Sequence, residues 1–384
     1  MKINHRRPKF IPVLVFAMLL MGTIYTSTNI YQVASATTSP SLTKSIPAYE
    51  VSTRQNLNIP QGESFGYNNH PLENITGLLK NCSEQEVIIV VHGWGINEAK
   101  AKERFDRVKL SLENNSYYNT SLVGFSWKSD LVWSESKKTA NDNGATLAKF
   151  IFDLINTCKQ EFGKDIKVRL IGHSLGARVI LSSLNNLLNN PYWKNNNYTI
   201  ASVNLLGATV DNEEVSKFKR DIDIDGTNRN TIKTNYGQAI EQVMKDFYNF
   251  YNPEDNAFEP NPIYPFVPFQ IYPSYEGDWA LGQTGYQTTP FNIVQSLPAN
   301  YHQTNVQDEI PPSCDADGDK EPDFPLATNM IIARGDNHGG YFGFRDTEND
   351  TRLVDDGAMN VVVDNWSRIK SEIKEILQQS LMCK

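Results

Sequence analysis

Apolar residues along this chain fall into short unbroken runs separated by longer amphipathic stretches. Val87-Ile88-Ile89-Val90-Val91 is a continuous β-branched run, the pattern of a strand buried on both faces of a parallel sheet. Leu122 to Trp127, Lys167 to Gly172 and Thr199 to Leu206 repeat it, Phe247 to Tyr251 offers a shorter aromatic version, and Met330 to Ala333 a last one. Between these runs the period changes to that of a helix. Ala99 to Leu112 places Phe105, Val108 and Leu112 on one side, Thr146 to Cys158 and Arg178 to Leu188 follow, and Val361 to Leu381 closes the chain. Strands alternating with helices, with the strands apolar throughout, predict an α/β fold around a mostly parallel central sheet with helices on both faces.

Three stretches break this rhythm. Residues 1–36 begin with Lys2, Arg6, Arg7 and Lys9, continue through the apolar run Ile11 to Ile24, and reach small residues at Ala34-Ser35-Ala36. That is the layout of a signal peptide, and the apolar run is shorter than the ~20 residues of a membrane span. The expectation is a secreted protein, with an uncleaved anchor on the outer face of the membrane as the alternative. Residues 37–60, polar and rich in Ser, Thr and Pro, suit an N-terminal extension to a single domain over 37–384. Residues 256–325 interleave Pro260, Pro262, Pro265 and Pro268 with Tyr264, Phe266, Phe269 and Tyr272. Too much proline for core elements and too many aromatics for a linker predict an ordered, lid-like insert before the last strand.

Charge narrows the partners. The chain carries 36 basic and 44 acidic residues; removing four basic residues with the leader leaves 32 − 44 = −12. An acidic body without a basic stripe argues against nucleic acid and against anionic membranes. Cys82, Cys158, Cys314 and Cys383 remain, an even set that invites two disulfides in an oxidising compartment. Cys82 precedes one strand and Cys158 the next, at the same edge of the sheet. The expected pairing is therefore Cys82 with Cys158 and Cys314 with Cys383.

The chemistry concentrates at Gly172-His173-Ser174-Leu175-Gly176, a G-x-S-x-G between an apolar strand and an amphipathic helix. Strand, sharp turn and helix in that order expose a serine at the top of a sheet, and the glycines permit the close approach. A serine hydroxyl needs a base, and six histidines compete. His5 lies in the leader and His70 in a polar, turn-rich region. His92 ends a buried strand and His173 sits inside the turn, too constrained to reach Ser174. His338 remains, in Arg334-Gly335-Asp336-Asn337-His338-Gly339-Gly340, with glycines that let a loop pass close to the nucleophile. His302 is the alternative, inside the insert with no strand to position it. Leu175, following the nucleophile at the positive end of a helix, offers an amide to an oxyanion.

The strand ending in His92-Gly93-Trp94-Gly95, the Gly172–Gly176 turn and the late His338 resemble the α/β-hydrolase superfamily, in particular its lipase-like serine esterases. The resemblance covers roughly Val87 to Leu381. It implies the chain order Ser, acid, His, which leaves Asp255, Asp211 or Glu254 as the acid. Asn249-Phe250-Tyr251-Asn252-Pro253-Glu254-Asp255 looks like the acid loop of the common arrangement and favours Asp255; Asp211 follows the preceding strand. It also implies that Trp94 lends a second oxyanion amide, although core packing would equally explain its ring. The implied activity is cleavage of a carboxylic ester, small-molecule or lipid, without a catalytic cofactor. Acyl transfer or amide hydrolysis by the same residues, or a non-catalytic binding protein on this scaffold, are the alternatives.

A separate acidic loop, Asp315-Ala316-Asp317-Gly318-Asp319-Lys320-Glu321-Pro322-Asp323, alternates carboxylates around a glycine. Hard oxygen ligands so spaced are similar to the D-x-D-G-D loops of extracellular calcium repeats. The expectation is a structural Ca²⁺ held by Asp315, Asp317, Asp319 and Asp323. A weaker version runs from Asp221 to Asp225.

Overall fold

A computed structural model describes residues 45–54, 82, 86–217, 235–253, 255, 257–258, 280–286, 297–310, 338–343 and 356–366. Its strands are β1 (Ala48–Ser52), β2 (Glu86–Val91), β3 (Ser121–Ser126), β4 (Lys167–His173), β5 (Ile200–Leu206), β6 (Met244–Tyr251) and β7 (Tyr301–Asn305). They form one sheet in the order β1-β3-β2-β4-β5-β6-β7, and every pairing is parallel. The helices are α1 (Glu98–Asn114), α2 (Trp133–Phe162), α3 (Gly176–Leu188), α4 (Pro191–Asn195), α5 (Gly237–Val243), α6 (Leu281–Thr284) and α7 (Met359–Trp366). This is the α/β-hydrolase fold that the hydrophobic pattern and the motifs imply.

Buried residues divide by strand face. Val87, Ile89 and Val91 of β2 join one core with Leu147, Ile151 and Leu184 from α2 and α3. Ile88 and Val90 join the other, with Val108 and Leu112 of α1 and Met359 and Val362 of α7. Two full apolar faces explain why these strands read as unbroken runs rather than alternations. After β2 the chain steps outward to β3, and β4 then returns to the opposite side of β2. Loops leaving β2 and β4 therefore diverge, opening a crevice at their carboxyl ends, where ligands of open α/β sheets bind. His92-Gly93 and the Ser174 turn stand at those two ends.

Three sequence expectations need correction. Residues 37–60 are not all an extension, because β1 pairs with β3 from Ala48 to Ser52 and buries Val51. The insert 256–325 contributes to the sheet as well: β7 lies beside β6, so His302 does have a strand to hold it. Among the described residues β7 is the last strand of the sheet, and its polar, exposed positions show no apolar run. Helix α2 starts at Trp133 rather than Thr146. Its first turns bury Trp133, Ser136, Lys137, Ala140, Asn143 and Gly144, a helical stripe written in small and polar residues that hydropathy cannot see.

Cys82 and Cys158 form a disulfide beneath the sheet. The remaining expectations of this kind fall outside the described residues: the leader, the Cys314–Cys383 pair, the strand at Met330–Ala333, the closing helix beyond Trp366 and both acidic loops. Among the described residues no helix is long and apolar enough to cross a membrane, and no cluster of His, Cys, Asp or Glu could hold a metal ion.

The Cys82–Cys158 bond closes a loop of 76 residues. Removing it by Cys82→Ala with Cys158→Ala frees the unfolded chain and is expected to cost about 3–4 kcal/mol of stability. Urea unfolding of the double variant beside the oxidised protein measures that loss.

Candidate active site

Ser174 follows the last residue of β4 with φ = 53°, in the left-handed region. A non-glycine residue there is strained, and its surroundings hold it in place. Its N–H donates to the Leu206 carbonyl at 3.0 Å, and its carbonyl accepts from Ala177 at 3.0 Å and Thr209 at 3.3 Å. The flanking glycines sit in tight quarters, and Gly176 is sterically required because its neighbours are backbone. A Cβ on Gly172 would lie 2.7 Å from Ile180 Cδ1, and one on Gly176 would lie 2.3 Å from the Val91 carbonyl oxygen. The β2 loop closes from the other side, where a Cβ on Gly93 would stand 2.6 Å from Ser174 Cβ. Leu175, fully buried, leads directly into α3.

His338 and Asp255 meet here from distant parts of the chain. His338 Nδ1 donates to Asp255 Oδ2 at 2.7 Å, since a carboxylate can only accept. In the neutral imidazole the lone pair then belongs to Nε2, the nitrogen a base would use. Asp255 is fully buried, and its Oδ1 accepts from the Ala257 N–H at 3.0 Å. The Tyr341 hydroxyl donates to Oδ2 at 3.3 Å. Burial and the adjacent carboxylate push the Tyr341 phenol well above its usual range, which keeps it a donor. His173 fixes the histidine loop to the serine turn: its Nε2–H donates to the His338 carbonyl at 2.7 Å, and the two rings lie 4.7 Å apart. Phe258 meets the His338 ring edge-on at 5.4 Å.

The competing candidates lie elsewhere. His302 is half exposed on β7, stacked on Tyr248 and 4.0 Å from Asp246. Asp211 bridges to Ala280 and takes a 3.4 Å contact from its own N–H to Glu214 Oε1. It stands beside the buried Arg178–Glu214 ion pair, in which Arg178 Nη2 donates to Glu214 Oε1 at 2.6 Å. Glu254 lies outside the described residues. Trp94 is half buried, its indole N–H donating to the Leu131 carbonyl at 2.8 Å and its ring set edge-on against Trp133. Its ring therefore packs, whatever its amide does.

Sequence reading set aside His173 and His92 as constrained, and it missed Tyr341 and the Arg178–Glu214 pair. Arg178, a charge among apolar positions of a helix one turn past Ser174, was a visible signal. Tyr341 carried none, because its role depends on a fold that brings it to Asp255.

The sheet, the strained serine turn and the His–Asp pair define an α/β hydrolase by architecture. The family model described as "Alpha/beta hydrolase of unknown function (DUF900)" matches residues 69–261, and the chain belongs to that family. A stretch of 107 residues is 27% identical to phospholipase A1 of Vespa velutina, covering 26% of this chain and 34% of that protein. The chain thus spans about a third of the length of that relative. Among solved structures, the Pyrococcus furiosus esterase Pf2001 is 13% identical with a TM-score of 0.29, covering 58% of this chain and 73% of that one. Phospholipase PlaB from Legionella pneumophila is 17% identical with a TM-score of 0.22, covering 32% and 25% respectively.

Two imidazoles at the site are buried and neutral. Desolvation, the largest cause, lowers His92 to about 3 and holds His173 well below its ordinary value. Unfolded histidines regain a value of about 6.5, so below that pH the unfolded state binds protons the folded state refuses. Stability should therefore be complete above pH ~6.5 and fall as pH drops towards 3, by about 1.4 kcal/mol per pH unit for each imidazole. Denaturant melts at pH 7, 6 and 5 read that slope; a flat profile would mean that neither histidine is held neutral.

Proposed function

We propose that the protein is an exported serine hydrolase that cleaves carboxylic esters through an acyl-enzyme on Ser174. The observation that carries this reading is the buried Asp255 bonded to His338, whose backbone is tied in turn to the residue before Ser174. In this reading Ser174 Oγ attacks the ester carbonyl while His338 Nε2 takes its proton. Asp255 holds Nδ1–H and stabilises the imidazolium. The carbonyl oxygen, now an anion, is held by the Leu175 and Trp94 amides. Collapse of this tetrahedral species breaks the C–O bond, and His338 returns the proton to the departing alcohol. Water then attacks the acyl-enzyme, again losing a proton to His338, and the acid leaves as Ser174 recovers its hydrogen.

Half-buried Trp94 and Leu131 beside Val132, which is 62% exposed, form an apolar surface next to the His92–Gly93 loop that this reading assigns to an acyl chain. The partial likeness to a phospholipase A1 points the same way. Export agrees with the leader-like start and with a disulfide.

A fluorophosphonate should label Ser174 in the folded protein and not in Ser174→Ala. That substitution should lower kcat by about 10⁴–10⁶ with little change in stability. A series of p-nitrophenyl esters of increasing acyl length then sets the substrate class. Intact mass showing no adduct on the folded wild type would sink the serine-hydrolase reading.

A further inference from the structure

The loop that follows β2 is braced by a residue just past the N-terminal strand, outside the 69–261 segment matched by the family model. Arg54, two residues past β1, is largely buried and sends its guanidinium under this loop. Its Nε donates to Ser126 Oγ at 2.7 Å, and its Nη2 donates to the Ile96 carbonyl at 2.8 Å and approaches His92 Nε2 at 3.1 Å. Its Nη1 lies 3.7 Å from Asp130. The Trp127 N–H reaches the same His92 Nε2, also at 3.1 Å.

These contacts decide how His92 is protonated. Arginine and a backbone amide can only donate, so Nε2 must accept and the ring proton must sit on Nδ1. Nδ1 lies 2.9 Å from the Gly93 carbonyl, to which it therefore donates. The ring is held flat against Trp127, whose indole N–H returns a bond to the His92 carbonyl at 2.8 Å. The Gly93 carbonyl and the Trp94 N–H belong to one planar trans peptide and point in opposite directions. Pinning the carbonyl on one side aims the amide to the other.

We propose that Arg54 is a positioning residue which, by fixing the His92 tautomer, orients the Gly93–Trp94 peptide so that the Trp94 amide faces the oxyanion formed at Ser174. The inference rests on the serine-hydrolase reading and deepens it. Ground-state binding does not use this amide, so the brace acts on kcat and not on KM.

The test compares wild type, Arg54→Met and Arg54→Lys on a p-nitrophenyl ester and a fluorophosphonate. Arg54→Met should lower kcat and the labelling rate at least about tenfold with KM unchanged, short of the about 10²–10³ lost with a whole oxyanion donor. Methylguanidinium should restore part of the loss. Lysine, which cannot span the same acceptors, should rescue poorly. ¹⁵N NMR of wild-type His92 should show Nδ1 protonated and Nε2 bare at neutral pH, a readout that requires neither a variant nor activity. Wild-type kcat and labelling in folded Arg54→Met, or a protonated Nε2 in the wild type, overturns the proposal while leaving the hydrolase reading intact. An unlabelled wild type overturns both.

Discussion

The top of the sheet depends on how closely three backbones approach one another around Ser174. The turn between β4 and α3 carries φ = 53° at a serine, and this is tolerated only because Gly172 and Gly176 let α3 settle onto the ends of β2 and β4. A side chain on Gly176 would collide with the carbonyl of Val91, so the serine turn and the β2 loop form one interlocked unit. Strain of this kind costs on the order of 1–3 kcal/mol and persists only where packing over-determines it. Here the packing is two apolar cores on opposite faces of the wholly buried β2.

Around this unit three histidines have diverged in role through their surroundings. His92 and His173 are sealed from water and held neutral, so each works as a rigid hydrogen-bonding strut. His338 keeps 16% of its side chain exposed and faces a buried carboxylate. A charge developing on that ring has a partner, whereas one on the other two would not. Removing charge from the struts and reserving it for the His–Asp pair is what a low dielectric favours.

The strand run at Val87–Val91 was legible because burial on both faces fills it with β-branched residues, and Lys167–Gly172 and Thr199–Leu206 because most of their positions are apolar and buried. The serine turn was legible because close packing places glycines at two fixed offsets, with backbone crowding excluding any side chain at Gly176. β7 and the first turns of α2 were not. An exposed strand tolerates Tyr-His-Gln-Thr-Asn, and a tightly packed helix start takes small and polar residues that hydropathy does not mark. The partner of His338 was half legible: two aspartates followed strands in a permitted order, and only the fold brings Asp255 rather than Asp211 to His338.

By itself the sequence determined the architecture and the place of the serine, because these follow from local rules: periodicity, backbone sterics at glycine and the order of elements. Tertiary structure alone decided which groups touch across long separations. His338 and Asp255 stand 83 positions apart, and Arg54 and His92 38 apart. No local pattern encodes such meetings, because they are set by which strand lies beside which and by how far a loop can reach. The same holds for the protonation of His92, which depends on donors that the folded sheet brings to one nitrogen.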